Sequence, residues 1–174
     1  AFRNILRNVQ NTNVLFGDTL EILESLRKSA GAGKPTTFNK VIANIPYSIT
    51  QDLVIELLQH QWETAVLCVQ KEFAQKLREK EKIAVIVNDC CKVKVAREVP
   101  ASVFYPKAVD SSIIVMEQKH TLNYDFWEFL KSVYKDKNRN VSNVAKDYPV
   151  SMAKKKVHQL TAEELKKLYG MNKK

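Results

Sequence analysis

The sequence predicts an α/β fold: a mostly parallel sheet with an antiparallel hairpin at its edge, followed by a small helical segment. Three observations carry this. Short, nearly all-apolar runs (VLF at 14–16, VIA at 41–43, AVLCV at 65–69) alternate with runs of helical periodicity, as in parallel sheets covered on both faces. KVKVAREV (92–99) and SSIIVMEQ (111–118) then follow one another with only a Pro-containing loop between, like the arms of an antiparallel pair. From residue 125 onward the pattern is helical and basic.

In chain order, Phe2, Ile5, Leu6 and Val9 open the sequence at helical spacing. Strand VLF closes on Gly17-Asp18, and TLEILESLR (19–27) reads as a helix. SAGAGKPTT (29–37) is loop by composition. Its GAGK lacks both the upstream glycine and the Ser/Thr after Lys that a phosphate-binding loop needs. A helix over 49–60 follows strand 41–43, with Ile49, Leu53, Val54, Leu57 and Leu58 on one face. Strand 65–69, a helix over 71–80 and a covering helix on IAVIVNDCC (83–91) lead to the hairpin. A boundary at 119–124 divides residues 1–120 from a helical segment, 121–174. In the last helix Thr161 and Glu164 form a capping box, and Gly170 is the expected stop.

At 174 residues, 45% hydrophobic and 27% charged, the chain suits one soluble domain, or one domain with a small appendage. No apolar run approaches the ~18 residues needed to cross a bilayer, and no signal-peptide pattern is present, so a cytoplasmic location is expected. Cys68, Cys90 and Cys91 show no CxxC spacing and the three histidines are scattered, so neither a metal site nor a disulfide framework is expected. The net charge of +9 is unevenly placed. Residues 1–118 hold 15 Lys/Arg against 13 Asp/Glu, and residues 119–174 hold 13 against 6. A balanced body with a basic end suggests a polyanionic partner, and the bland alternative is a solvated surface.

The stretch VIANIPYSIT (41–50) ends a buried strand on an amide and an aromatic. Ligands in open α/β sheets bind beyond such strand ends. One chemistry suits the pair: the exocyclic amine of adenine is a weak nucleophile because its lone pair is delocalised into the ring. Accepting both of its N–H groups, at the Asn44 side-chain oxygen and the Ile45 carbonyl, frees that lone pair. Pro46 fixes the turn, and Tyr47 offers a face on which an extruded base stacks. A plain strand exit is the alternative.

FGDTLEIL, VIANIPYSIT, AVLCVQKEFAQKL and VPASVFYPKAVDSSIIVM occur in the order and spacing of one family. Over residues 1–118 the chain resembles the rRNA adenine N6-dimethyltransferases (KsgA type), in wording closer to archaeal or eukaryotic members. The resemblance implies a Rossmann-like class I methyltransferase sheet and S-adenosylmethionine as cofactor. Two methyl transfers to each of two neighbouring adenines near the small-subunit rRNA 3′ end are the implied reaction. Asp18 would bond the cofactor's adenine amine, a role compatible with capping the following helix. Asn44 would be both catalytic and cofactor-adjacent; Tyr47 would stack on the target adenine and Phe104 close on its other face. Gln70-Lys71-Glu72 matches a family signature of structural character. Lys135, Lys137, Arg139, Lys154, Lys155 and Lys156 are the candidate RNA contacts, with the pre-ribosomal small subunit as partner and the protein acting as a monomer.

Complete enzymes of this kind begin with a strand and glycine-rich turn, then a second strand ending in a ribose-binding acid. No G-x-G turn precedes Asp18, and one βαβ unit needs ~30 residues. The chain is therefore expected to lack half of its cofactor site and to be inactive alone, as a fragment, a split half or a short homologue. The loop after QKEFAQKL is also short for the family, and VFYPKAVDSS is one residue short of F-x-P-x-P-x-V-D-S. A non-catalytic RNA-binding or ribosome-assembly module is the competing reading.

Overall fold

The computed structural model describes residues 14–31, 36–105 and 109–173. Among them are six α-helices and one four-stranded sheet. In order these are α1 (Thr19–Ser29), β1 (Lys40–Asn44), α2 (Thr50–Leu57), β2 (Thr64–Gln70), α3 (Lys71–Lys76), α4 (Lys82–Cys90), β3 (Cys91–Val99), β4 (Ser111–Gln118), α5 (Tyr124–Tyr134) and α6 (Ala162–Asn172). The helix expected on Phe2, Ile5, Leu6 and Val9, most of GAGK, and residues 106–108 lie outside the described residues.

The sheet runs β1-β2-β4-β3, with β1 parallel to β2 and both β2/β4 and β4/β3 antiparallel. The parallel pairing of β1 with β2 and the antiparallel edge hairpin stand as the sequence predicts, but two of the three pairings among the described strands are antiparallel, so the sheet is not mostly parallel. Apolar strand runs predict cover on both faces, but β1 and β2 alternate in burial. Ala65, Leu67 and Val69 of β2 are fully buried, whereas Ile42 of β1 is 83% exposed.

VLF forms no strand. Val14, Leu15 and Phe16 are irregular and exposed, and the strand on that side of the sheet, β1, pairs with β2. Apolar composition suits a strand but does not by itself set the extended backbone of one. Asp18 caps α1, its Oδ1 accepting from Leu20 N–H at 2.8 Å and Glu21 N–H at 3.3 Å. Gly170 does not stop α6, which runs through it to Asn172. The Asn172 side chain closes that end, donating to the Leu168 and Asp147 carbonyls and accepting from the Lys146 and Asp147 amides. The Thr161/Glu164 capping box forms as expected.

Apolar side chains of sheet and helices form one continuous core, in which Ile86 and Val87 of α4 join Phe126 and Leu130 of α5 and Leu165 and Leu168 of α6. Gln118, at the end of β4, ties down the loop that leads into β2, accepting from Trp62 N–H at 2.8 Å and donating to the His60 carbonyl at 2.9 Å. Tyr134 donates to the Lys80 carbonyl at 3.0 Å, and burial pushes its phenol up to about 12.

Candidate active site

The carboxyl end of β1 delivers Asn44 and the chain turns at once, Pro46 leading into a 3₁₀ turn, Tyr47–Ile49. Ile45 is buried and its N–H still bonds across to the Cys68 carbonyl at 3.2 Å. The Pro46 carbonyl is spent inside the turn, accepting from Ile49 N–H at 3.1 Å. Neither the Ile45 carbonyl nor the Asn44 side-chain amide has a hydrogen-bond partner among the described residues. Asn44, Ile45, Pro46, Tyr47 and Phe104 together line one open cavity of ≈ 250 Å³. The five positions read from the sequence as one site therefore meet in space, Phe104 arriving from the far side of the chain.

Two further groups support this cavity. The Tyr47 hydroxyl lies 2.7 Å from Ser111 Oγ, and Ser111 in turn donates to the Val109 carbonyl at 3.1 Å. A serine has one hydrogen to give, so Tyr47 is the donor of its pair. Asp110 Oδ1 accepts from Ala101 N–H at 2.9 Å, fixing the 3₁₀ turn Ala101–Val103 that ends on Phe104. Ser111 went unassigned in the sequence, where Ser111-Ser112 reads as the boundary of an apolar strand; in the structure both are fully buried. A second missed feature is a register irregularity in β3 between Val95 and Arg97. Alternation in KVKVAREV puts Arg97 in an apolar slot, and the extra residue there turns it to the other face.

Asp18 is exposed, and its Oδ1 is committed to the cap of α1. The other carboxylate oxygen makes no bond among the described residues, so an amine donor fits it. Arg27 of α1 holds Glu56 of α2 at 2.9 Å, tying Asp18's helix to the helix that follows the site.

The basic candidates fall into two backbone runs that the fold joins. Asn140 bridges Lys156 in antiparallel sense, Val141 N–H bonds the Lys155 carbonyl at 2.9 Å and Val157 N–H the Arg139 carbonyl at 3.2 Å. Lys137 pairs with Glu81 at 2.8 Å, Arg139 with Asp136 at 3.3 Å and Lys155 with Glu164 at 2.5 Å. Lys154 and Lys156 are exposed and have no carboxylate partner among the described residues, and Lys135 is exposed without a close ion pair but attracts the Glu128 carboxylate.

One trio of donor atoms, on Asp89, Cys90 and His120, lies within 4.8 Å. A metal there would have to displace Lys166, which already pairs with Asp89. It would also have to deprotonate Cys90, whose thiol burial pushes up to about 12. Burial likewise raises the Cys68 and Cys91 thiols. No described helix is long and apolar enough to cross a membrane.

The family model described as ribosomal RNA adenine dimethylase matches residues 8–169. The chain belongs to the ribosomal RNA adenine dimethylase family. Its relatives include proteins named "Probable ribosomal RNA small subunit methyltransferase A". That of Pyrococcus furiosus is 27% identical over 92% of this chain and 65% of its own length. That of Thermococcus sibiricus is 35% identical over 64% and 40%, and that of Methanococcus maripaludis 29% over 82% and 55%. This family member thus spans less than two thirds of these curated relatives. The fold is similar to that of a dimethyladenosine transferase from Plasmodium falciparum, with TM-score 0.72 and 23% identity over 98% of this chain and 78% of that one. It is also similar to the 23S rRNA methyltransferase ErmE, with TM-score 0.64 and 20% identity over 99% and 76%. The sheet and its helices are therefore Rossmann-like.

Proposed function

We propose that this chain forms the target-base side of an S-adenosylmethionine-dependent methyltransferase that dimethylates N6 of adjacent adenines in small-subunit rRNA. The observation that carries the reading is the ≈ 250 Å³ cavity in which Asn44 and Ile45 share space with Tyr47 and Phe104. Its two partnerless acceptors suit an amine with two hydrogens, and its two rings suit the faces of one base. Stacking of this kind is worth ~1–3 kcal/mol per base, enough to hold an extruded adenine against rotation.

Asn44 Oδ1 and the Ile45 carbonyl accept the two N6–H bonds, drawing the nitrogen toward sp³ and exposing its lone pair. Pro46 keeps the acceptors in place through its fixed φ. No general base is required, because the proton leaves after the nitrogen has become cationic. Asp18 and Asn44 are the described residues that would hold the cofactor, which when bound supplies an electrophilic methyl group. The basic runs around Lys135, Lys137, Arg139, Lys154, Lys155 and Lys156 grip phosphates, with 121–174 as the RNA-binding segment. The relatives' small-subunit names support the substrate. The protein acts in the cytoplasm as a monomer and needs no metal.

The test uses the full-length natural protein, labelled S-adenosylmethionine and small ribosomal subunits lacking the modification. Methyl transfer is expected, with Asn44→Ala lowering it ~10²–10³-fold, the scale for removal of one transition-state interaction, at unchanged RNA affinity. Transfer that survives Asn44→Ala removes Asn44 from the chemistry. RNA binding with no transfer by the full-length protein establishes the ribosome-assembly reading instead.

A further inference from the structure

We propose that the start of β4 positions both walls of the target-base cavity: Ser111 sets the plane of the Tyr47 ring, and Asp110 sets the loop that bears Phe104. The inference rests on the base-stacking reading of that cavity and adds two positioning residues to it.

Ser111 is suited to be a fixed point. It is fully buried and paired on both sides, opposite Gln70 of β2 and Val99 of β3. Its hydroxyl is oriented by the bond to the Val109 carbonyl, which leaves an oxygen lone pair for the Tyr47 phenol at 2.7 Å. Tyr47 itself sits in a 3₁₀ turn on the opposite side of β2, with its ring half-buried. A ring anchored only through Cβ swings about two side-chain torsions, and its terminal sp³–sp² torsion is broad. Tethering the para oxygen removes that freedom, so the stacking face is presented in one plane before a base arrives.

Asp110 does the same for the opposite wall. Its carbonyl accepts from Lys71 N–H at 3.0 Å, anchoring it to the end of β2. Its carboxylate holds Ala101 N–H at 2.9 Å, and the Ala101 carbonyl accepts from Phe104 N–H at 3.3 Å. Ser112 adds a tie to β3, donating to Glu98 at 3.1 Å. Adjacent residues on one strand end thus hold two aromatics that lie 57 positions apart in the chain.

The experiment is a double-mutant cycle in the full-length natural protein, with two readouts. One is single-turnover methyl transfer to unmodified small subunits. The other is fluorescence quenching of a short single-stranded RNA carrying one 2-aminopurine. Tyr47→Phe and Ser111→Ala break the same bond from its two ends. Each is expected to lower transfer and quenching about fivefold, the scale of one net hydrogen bond, and the double variant no further. Asp110→Ala should show a similar loss, and Asp110→Asn, which keeps an acceptor for Ala101 N–H, should restore it. Tyr47→Phe with undiminished transfer and quenching, beside a Tyr47→Ala variant that loses both, overturns the role of Ser111 and leaves the base-stacking reading intact. Quenching that survives Tyr47→Ala combined with Phe104→Ala overturns the stacking reading and the inference with it. If Ser111→Ala fails to fold, Tyr47→Phe tests the same bond from its half-exposed side.

Discussion

His60 places a titratable ring wholly inside the protein, tilted against Phe38 with centroids 5.4 Å apart. Burial is the largest influence on it and holds its pKa below the ordinary 6.5, outweighing Glu56, whose carboxylate oxygen lies 3.5 Å away. At that separation Glu56 attracts a charge without satisfying a hydrogen bond, and both ring nitrogens are otherwise unpartnered. The native ring therefore stays neutral where the unfolded one takes up a proton. The unfolded state then binds more protons below pH 6.5, and stability falls as pH falls through that region. Urea unfolding at pH 7.5 and 5.5 should show a midpoint that drops on acidification, and His60→Leu should remove His60's share of the drop. At this scale the site was partly legible. Asn44, Pro46 and Tyr47 announce themselves as polar and rigid residues where a strand should simply end. Ser111 does not, because a serine beside an apolar run reads as a strand boundary until its partner across the sheet is known.

Among the elements, the clearest readings came from signals confined to a few neighbouring residues. The Thr161/Glu164 box lies within one turn of chain, so four residues suffice to see it. Thr161→Ala should cost about 1 kcal/mol in chemical denaturation, the usual loss for an N-cap hydroxyl, because α6 contributes Leu165 and Leu168 to the shared core. VLF misleads for the opposite reason: its composition is strand-like, but pairing is a property of two segments. Gly170 misleads because a glycine stops a helix only where the chain adopts a left-handed turn, and Asn172 supplies the closure instead. The irregularity in β3 was readable in principle from Arg97, since a charge in an apolar slot of an alternating run argues that the slots have shifted.

For the whole molecule, the charge asymmetry of the sequence becomes a surface once residues 139–141 pair with 155–157. Composition alone shows an excess of lysine; it cannot show that two runs separated by a dozen residues lie side by side, nor which lysines are already answered by carboxylates. Lys154 and Lys156 are the unanswered ones among the described residues, and Lys135 is held by no close ion pair, only by the more distant attraction of Glu128. Replacing each by Gln should weaken RNA binding and reduce the slope of log affinity against log salt by roughly 0.7–0.9 for every phosphate no longer neutralised. The same change at Lys137, Arg139 or Lys155 should do less, as filter binding across a salt series would show. The placement of Asn44 also governs how the molecule tolerates changes of length. It is the last residue of a five-residue strand whose faces alternate and whose register against β2 is set pair by pair. Gaining or losing one residue within 40–43 would send Asn44 to the face now held by Val41 and Ala43, and spoil core and site together. Two residues would restore the face but move the amide by about 6.6 Å. The irregular stretches at 77–81 and 119–123 carry no such parity, so insertions and deletions in this lineage should accumulate there and leave β1 at constant length.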